Sequence, residues 1–188
     1  VDSTPERIID TTNELFREFG YRGTGMKQVI VASGTTAGSV YHHFPGGKDE
    51  LAGKVISQTG AAYQQLIEAV LAASPSLARG MNAIFKSAAK VLQDTHYVDP
   101  CPVGGVAREI ASSHPELRAA AEQVLFGWID AATEVVAREV SDTSEAKDLA
   151  TLFVAAIEGG FLLSRTAQSP EPMLAIGRAM VRAVESYD

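Results

Sequence analysis

The chain has one cysteine, Cys101, among 188 residues. An internal disulfide is therefore impossible, and the composition suits a reducing cytoplasm. Aromatic residues make up only 7%, with a single tryptophan. The longest near-apolar run, residues 149–163, is broken by Glu158, Gly159 and Gly160, so it is too short and too polar to cross a membrane. No basic, apolar, small-residue leader opens the chain, which predicts a cytoplasmic protein. No stretch alternates as a strand does, and no internal repeat or low-complexity tract occurs. Enzyme signatures are scarce too: no Ser/His/Asp array, HExxH, CxxC or phosphate loop is visible. Four histidines and one cysteine leave few catalytic sets, so no enzyme, cofactor or metal centre is expected.

One further absence is local. Between Phe19 and Lys48 there is no Asp or Glu, while Arg22, Lys27 and Lys48 are present. The net charge of −7 argues against a nucleic-acid partner. The charge is unevenly spread, however. Residues 1–55 carry six Lys/Arg against seven Asp/Glu, and residues 56–188 carry ten against sixteen. An acidic body with an acid-free tip is compatible with a tip that touches phosphate.

What is present is helical. A hydrophobic content of 46% is that of a globular chain with a sizeable core. Ile8, Thr12, Leu15, Phe16 and Phe19 follow helical spacing in a first helix. Its start is signalled by Thr4 with Pro5, or by a Ser3–Glu6 capping box, and its end by Gly20. Thr24 or Gly25 caps a second helix with Met26, Val29 and Ile30 inward. Gly34 stands where two short helices need a sharp turn with φ > 0. Thr35 then caps a third helix, with Val40 and Phe44 inward and Thr36, Ala37, Ser39 and His42 outward. A fourth runs from about Lys48 to Ala73 and a fifth from Leu77 to Gln93. Two prolines and two glycines make residues 96–105 irregular. Further helices are expected at 106–112, 115–140 and 145–167, and after Pro170, where Met173, Ile176, Met180, Val184 and Tyr187 form a stripe.

The fold class is therefore all-α, with about nine helices. An N-terminal three-helix helix-turn-helix module precedes a C-terminal helical bundle. The expected division is residues 1–50 as the helix-turn-helix module held against DNA and residues 51–188 as the dimerising bundle. The helix at 145–167 is apolar on most of its circumference, more than one small bundle readily covers. Either it is the centre of its own bundle or, the preferred reading, a homodimer through the last two helices covers it as a four-helix bundle.

The pattern of Thr24, Gly25, Met26, Val29-Ile30, Ser33-Gly34, Gly38, Tyr41, His43-Phe44 and Lys48 resembles the TetR family of transcriptional regulators. Two departures stand out: Thr35-Thr36 where Val-Ser/Thr is commoner, and a longer Pro45-Gly46-Gly47 corner. That corner and the CPVGG run at 101–105 resemble the LmrA/YxaF-like branch. The chemistry at this stretch suits DNA in its own right. Thr36 offers a hydroxyl and Ala37 a methyl to base edges, and Gly38 lets the backbone approach the groove. Tyr41, His42, His43 and Lys48 can hydrogen-bond phosphates and fix the register, and Thr24, Thr35 and Ser39 are further DNA-binding candidates. Adjacent His42 and His43 point about 100° apart on a helix, which argues against a shared metal.

The resemblance implies a ligand-responsive repressor that binds a palindromic operator on double-stranded DNA as a homodimer. A small apolar or aromatic inducer would release it. Candidate pocket residues are Tyr63, Met81, Phe85, His96, Tyr97, Cys101, Phe126, Trp128, Glu158 and Phe161, although lone aromatics at helical spacing more often pack a core. Glu158 stands out in an apolar helix, with Arg165 as a possible partner. The alternatives are an all-α protein-interaction module or a small all-α enzyme without DNA binding.

Overall fold

The computed structural model describes residues 3–186. Among the described residues the chain is all-α: α1 (Thr4–Gly23), α2 (Met26–Ala32), α3 (Ala37–His43), α4 (Gly47–Ala73), α5 (Leu77–Asp94), α6 (Pro102–Ile110), α7 (Pro115–Val136), α8 (Thr143–Ala167) and α9 (Glu171–Glu185). No helix among the described residues is long and apolar enough to cross a membrane. Packing divides the chain into two compact units. One takes residues up to Ala61 together with Cys101–Val124. The other takes Ala62–Pro100 together with Leu125 onward.

In the first unit, α1 opens on a complete capping box. Ser3 N–H donates to Glu6 Oε2 at 2.8 Å, and Glu6 N–H returns to Ser3 Oγ. Ile8, Ile9, Thr12 and Phe16 form its buried face, but Phe19, expected with them, is 47% exposed. Gly20 does not end the helix. It kinks it at φ 74°, and one more turn follows to Gly23. α1 packs against α6, α2 and α3.

α6 corrects the expectation of an irregular segment through residue 105. Pro102 is the first helical residue, where its missing N–H costs nothing. Cys101 Sγ caps the turn by accepting Gly104 N–H, and Val103, Val106 and Ile110 supply a buried stripe.

In the second unit, α5 packs against α8 and α9, and α8 against α9. Phe85 and Phe153 meet edge to face at 5.8 Å in this core. Two glycines permit the close approach. A Cβ at Gly177 would stand 2.6 Å from Phe85 Cβ, and one at Gly160 would stand 2.7 Å from Met173 Sδ. Met173, Met180 and Val184 line the buried face of α9; Tyr187, expected on the same stripe, lies outside the described residues. The true irregular connection is Thr95–Cys101, where His96 and Tyr97 both adopt positive φ. Arg165 on α8 holds it, with Nε to Tyr97 O at 3.1 Å and Nη1 to Asp99 Oδ2 at 2.7 Å.

Candidate nucleic-acid interface

The helix-turn-helix stands on a few inward-pointing residues. Val29, Val40 and Phe44 are buried, which fixes the inner faces of α2 and α3. Between the helices Gly34 takes φ 62°, a conformation glycine adopts freely. The cap of α3 is Thr36, one residue beyond the expected Thr35, and its Oγ1 accepts Ser39 N–H at 3.1 Å. The Thr35 hydroxyl pairs instead with Ser33 Oγ at 2.7 Å, across the turn. Arg7 ties α1 to the same turn, its Nε donating to Ser33 O at 3.1 Å.

With Val40 and Phe44 inward, the rest of α3 faces out. Thr36, Ala37, Gly38, Tyr41, His42 and His43 are exposed, and Thr35 and Ser39 are half-buried. The structure brings these eight together on one short element. His42 and His43 meet edge to face at 5.1 Å, and no cluster suited to a metal ion occurs among the described residues.

Two expected contact residues are placed elsewhere. Thr24 is 1% exposed, and its hydroxyl donates to Gly20 O at 2.8 Å and Leu15 O at 3.2 Å. Its side chain closes α1 onto the start of α2 and faces no groove. Lys48 is half-buried, with Nζ donating to Tyr21 O at 3.1 Å and Thr24 O at 3.2 Å. Carbonyl groups left unpaired at the end of α1 explain both placements: they draw in the nearest donors. Arg22 is drawn in the same way, to Glu109 O at 3.1 Å. Of the three cations in the acid-free stretch, Lys48 is half-buried on carbonyls, Arg22 is exposed but bonded to Glu109 O, and Lys27 stands exposed at the start of α2.

Tyr21 anchors this junction. Its hydroxyl donates to Asp49 and lies 3.2 Å from His114 Nε2, while its ring packs on Phe16. Burial, then the Asp49 hydrogen bond and the Asp49 and Glu109 charges, push its phenol well above the usual tyrosine range.

The expected pocket residues do not form one wall. Phe126 is 58% exposed and His96 is exposed, so neither lines a cavity. Met81 and Phe85 are fully packed on α5, and Cys101 is buried as the cap of α6. Phe161 is buried on α8, and Tyr97 and Glu158 are half-buried. Tyr63 and Trp128 do meet, with ring centroids 6.2 Å apart. Beside Trp128 a small crevice opens between α4 and α7, lined by Gln64, Ile67, Glu68, Leu71, Ala131, Ala132 and Val135. Its volume, about 10 Å³, is close to the least that holds one water. Sequence spacing pointed to large aromatics and missed these lining residues, most of them small or aliphatic. Only the Gln64–Glu68 pair, hydrogen-bonded at 2.9 Å on an apolar face, offered a signal.

The helix-turn-helix coincides with a family match. Residues 8–55 match the N-terminal domain of "Bacterial regulatory proteins, tetR family". Residues 78–179 match "Transcriptional regulator LmrA/YxaF-like, C-terminal domain". The chain belongs to the TetR family. It is a helix-turn-helix transcriptional regulator that binds operator DNA, and the family is not one of enzymes. Among relatives, it is 34% identical to the HTH-type transcriptional regulator LmrA of Bacillus subtilis over 171 residues, 91% of each chain. It is likewise 34% identical to YxaF of the same organism, over 91% of this chain and 90% of that one.

Solved TetR structures share the fold. A regulatory protein TetR from Rhodobacter sphaeroides superposes with a TM-score of 0.85 at 21% identity, covering 95% of this chain and 97% of that one. A cysteine mutant of CifR, complexed with 26-bp double-strand operator DNA, superposes with 0.81 at 19% identity, covering 97% and 96%.

Proposed function

We propose that this TetR-family chain is a homodimeric, ligand-responsive repressor. The observation that carries the DNA half is the arrangement of α3: Val40 and Phe44 sink into the module while Thr36, Ala37, Gly38, Tyr41, His42 and His43 stand out. Ala37 and the Thr36 methyl suit a thymine methyl, and Gly38 lets the backbone approach base edges. Tyr41, His42, His43, Thr35 and Ser39 supply neutral donors for phosphate oxygens. Few ionic contacts follow from so few free cations. With ~4–8 ionic phosphate contacts per dimer, log affinity should fall against log salt with a slope of roughly −4 to −7.

The dimer half rests on α8. One side of it packs on α5 and α9, while Leu152, Ala155, Leu162, Leu163 and Thr166 stay exposed along the other. Gly159 lies on that uncovered stripe, and a Cβ there would meet nothing within 4 Å. An apolar stripe with a gap for close approach fits a two-fold contact with a second α8, and α9 completes a four-helix interface. Two α3 helices would then stand about 34–36 Å apart, one turn of DNA.

In this reading residues 1–50 read DNA in the cytoplasm, and residues 51–188 dimerise and take a small apolar or aromatic inducer. The crevice beside Trp128 is the seat we assign to that inducer. Because it has room for about one water, the ligand must prefer a state in which α4 and α7 separate, and its effect equals its differential affinity for that state. A thermal-shift screen of small aromatic compounds against the full chain, followed by an operator-release assay, tests this. A compound that stabilises the protein and releases DNA is expected; stabilisers that leave DNA bound contradict it.

A further inference from the structure

The end of α1 is assembled with help from far away in sequence. At Gly20 the chain leaves helical geometry, with φ 74° and ψ 175°, and re-enters a helical turn at Tyr21. A restarted turn presents N–H groups that have no carbonyl behind them. Glu109, on α6, takes two of them. Its Oε1 accepts Tyr21 N–H at 3.1 Å and its Oε2 accepts Arg22 N–H at 2.7 Å. A carboxylate gripping two backbone donors is a stronger version of the cap that a neighbouring Ser or Asp ordinarily supplies. Arg22 closes the contact from its own side, with Nη2 on Glu109 O at 3.1 Å.

Gly20 makes the arrangement possible. A Cβ there would fall 2.2 Å from Glu109 Oε1. The segment so gripped is also the one from which the reading helices hang. The Thr24 hydroxyl is bonded to Gly20 O, Lys48 Nζ to the carbonyls of Tyr21 and Thr24, and Gly25 caps α2. Tyr21 and Arg22 are thereby tied directly to α6, and Thr24 and Lys48 are bonded to the segment they hold.

We infer that Glu109 is a positioning residue for operator binding. It acts through the N–H groups of Tyr21 and Arg22, which set where α2 begins and how α3 is presented, and it does so without touching nucleic acid. The inference rests on α3 being the reading helix.

The test uses the full-length chain and a palindromic operator selected from a random library. Glu109→Ala, Glu109→Gln, Gly20→Ala and the Gly20→Ala/Glu109→Ala pair are compared with wild type and with Tyr41→Ala. Affinities are taken where circular dichroism shows each variant folded. Glu109→Ala is expected to weaken operator binding at least tenfold with the salt slope unchanged, since no phosphate contact is lost. Glu109→Gln, keeping one acceptor, should fall between wild type and Glu109→Ala. The double variant should lose less than the product of the single losses, because removing the carboxylate relieves the clash at residue 20. Amide proton resonances of Tyr21 and Arg22 should move upfield in Glu109→Ala, a readout that needs no DNA. If Glu109→Ala binds within twofold of wild type while Tyr41→Ala does not, this inference alone fails. If Tyr41→Ala also binds like wild type, the reading of α3 fails and the inference goes with it. Unmoved amide resonances overturn it directly.

Discussion

Lys48 Nζ lies 4.3 Å from the centroid of the Tyr21 ring and donates to the Tyr21 carbonyl at 3.1 Å. A cation placed there is fastening the reading module as well as bringing charge to it. Replacing Lys48 with Met keeps the stem but removes two hydrogen bonds to carbonyls and the contact with the ring. The expected loss is about 1–3 kcal/mol of stability, read from denaturant midpoints. The slope of operator affinity against salt should change by less than the ~0.9 that one lost phosphate contact removes. A full unit of slope lost without loss of stability would return Lys48 to the phosphates.

Gly34 offers a clean measure of the turn. Its φ is +62° and a Cβ there would meet nothing within 4 Å. Gly34→Ala therefore carries a backbone penalty alone, roughly 1–2 kcal/mol. Gly34→Asn should cost less, since asparagine tolerates the left-handed region. Thermal or chemical denaturation distinguishes the two; equal losses for both would mean that something other than φ limits the turn.

Much of this module was legible before its structure. Gly34, Val40 and Phe44 follow from turn chemistry and helical spacing, and both are local rules. The roles of Thr24 and Lys48 were not legible, because each depends on carbonyl groups that α1 leaves unpaired after the Gly20 kink. Spacing placed them near DNA; hydrogen-bond satisfaction placed them inside. The start of α6 was misjudged for a related reason. Proline and glycine read as breakers in a bare sequence, yet Pro102 sits at the one position of a helix that suits it. The crevice was the least legible feature. It is defined by where α4 and α7 leave a gap, and its walls are residues of no chemical distinction apart from Trp128, Gln64 and Glu68.

Tyr21 predicts an alkaline limit. Its phenol is raised in the folded chain, so the folded state keeps a proton that an unfolded tyrosine releases near pH 10. The unfolded chain then binds fewer protons, and stability falls as pH climbs above about 10 while staying level below it. Tyr21→Phe should be less stable at neutral pH, having lost the Asp49 hydrogen bond, and should show a shallower decline from pH 9.5 to 11. Parallel curves for the two proteins would remove Tyr21 as the cause.

Gly159 separates chain stability from assembly. Its missing side chain leaves open space, and glycine in a helix interior costs about 1 kcal/mol against alanine. Gly159→Leu should therefore leave the single chain folded while obstructing a close α8 contact. Sedimentation is expected to show a dimer for wild type and a monomer for Gly159→Leu at the same concentration, and operator affinity should drop by at least two orders of magnitude. A dimeric Gly159→Leu chain with normal affinity would place the interface elsewhere.

The most direct test of the account is selection of DNA from a random duplex library by the purified chain, followed by affinity measurements for Thr36→Ala and Tyr41→Phe on the selected site. The account predicts one enriched palindrome with half-site centres about one helical turn apart. It also predicts a loss of tenfold or more for Thr36→Ala, which removes the hydroxyl that caps α3 and that we assign to the groove, and a smaller loss for Tyr41→Phe. Enrichment of no palindrome, or a selected site bound equally well by wild type and both variants, would contradict it.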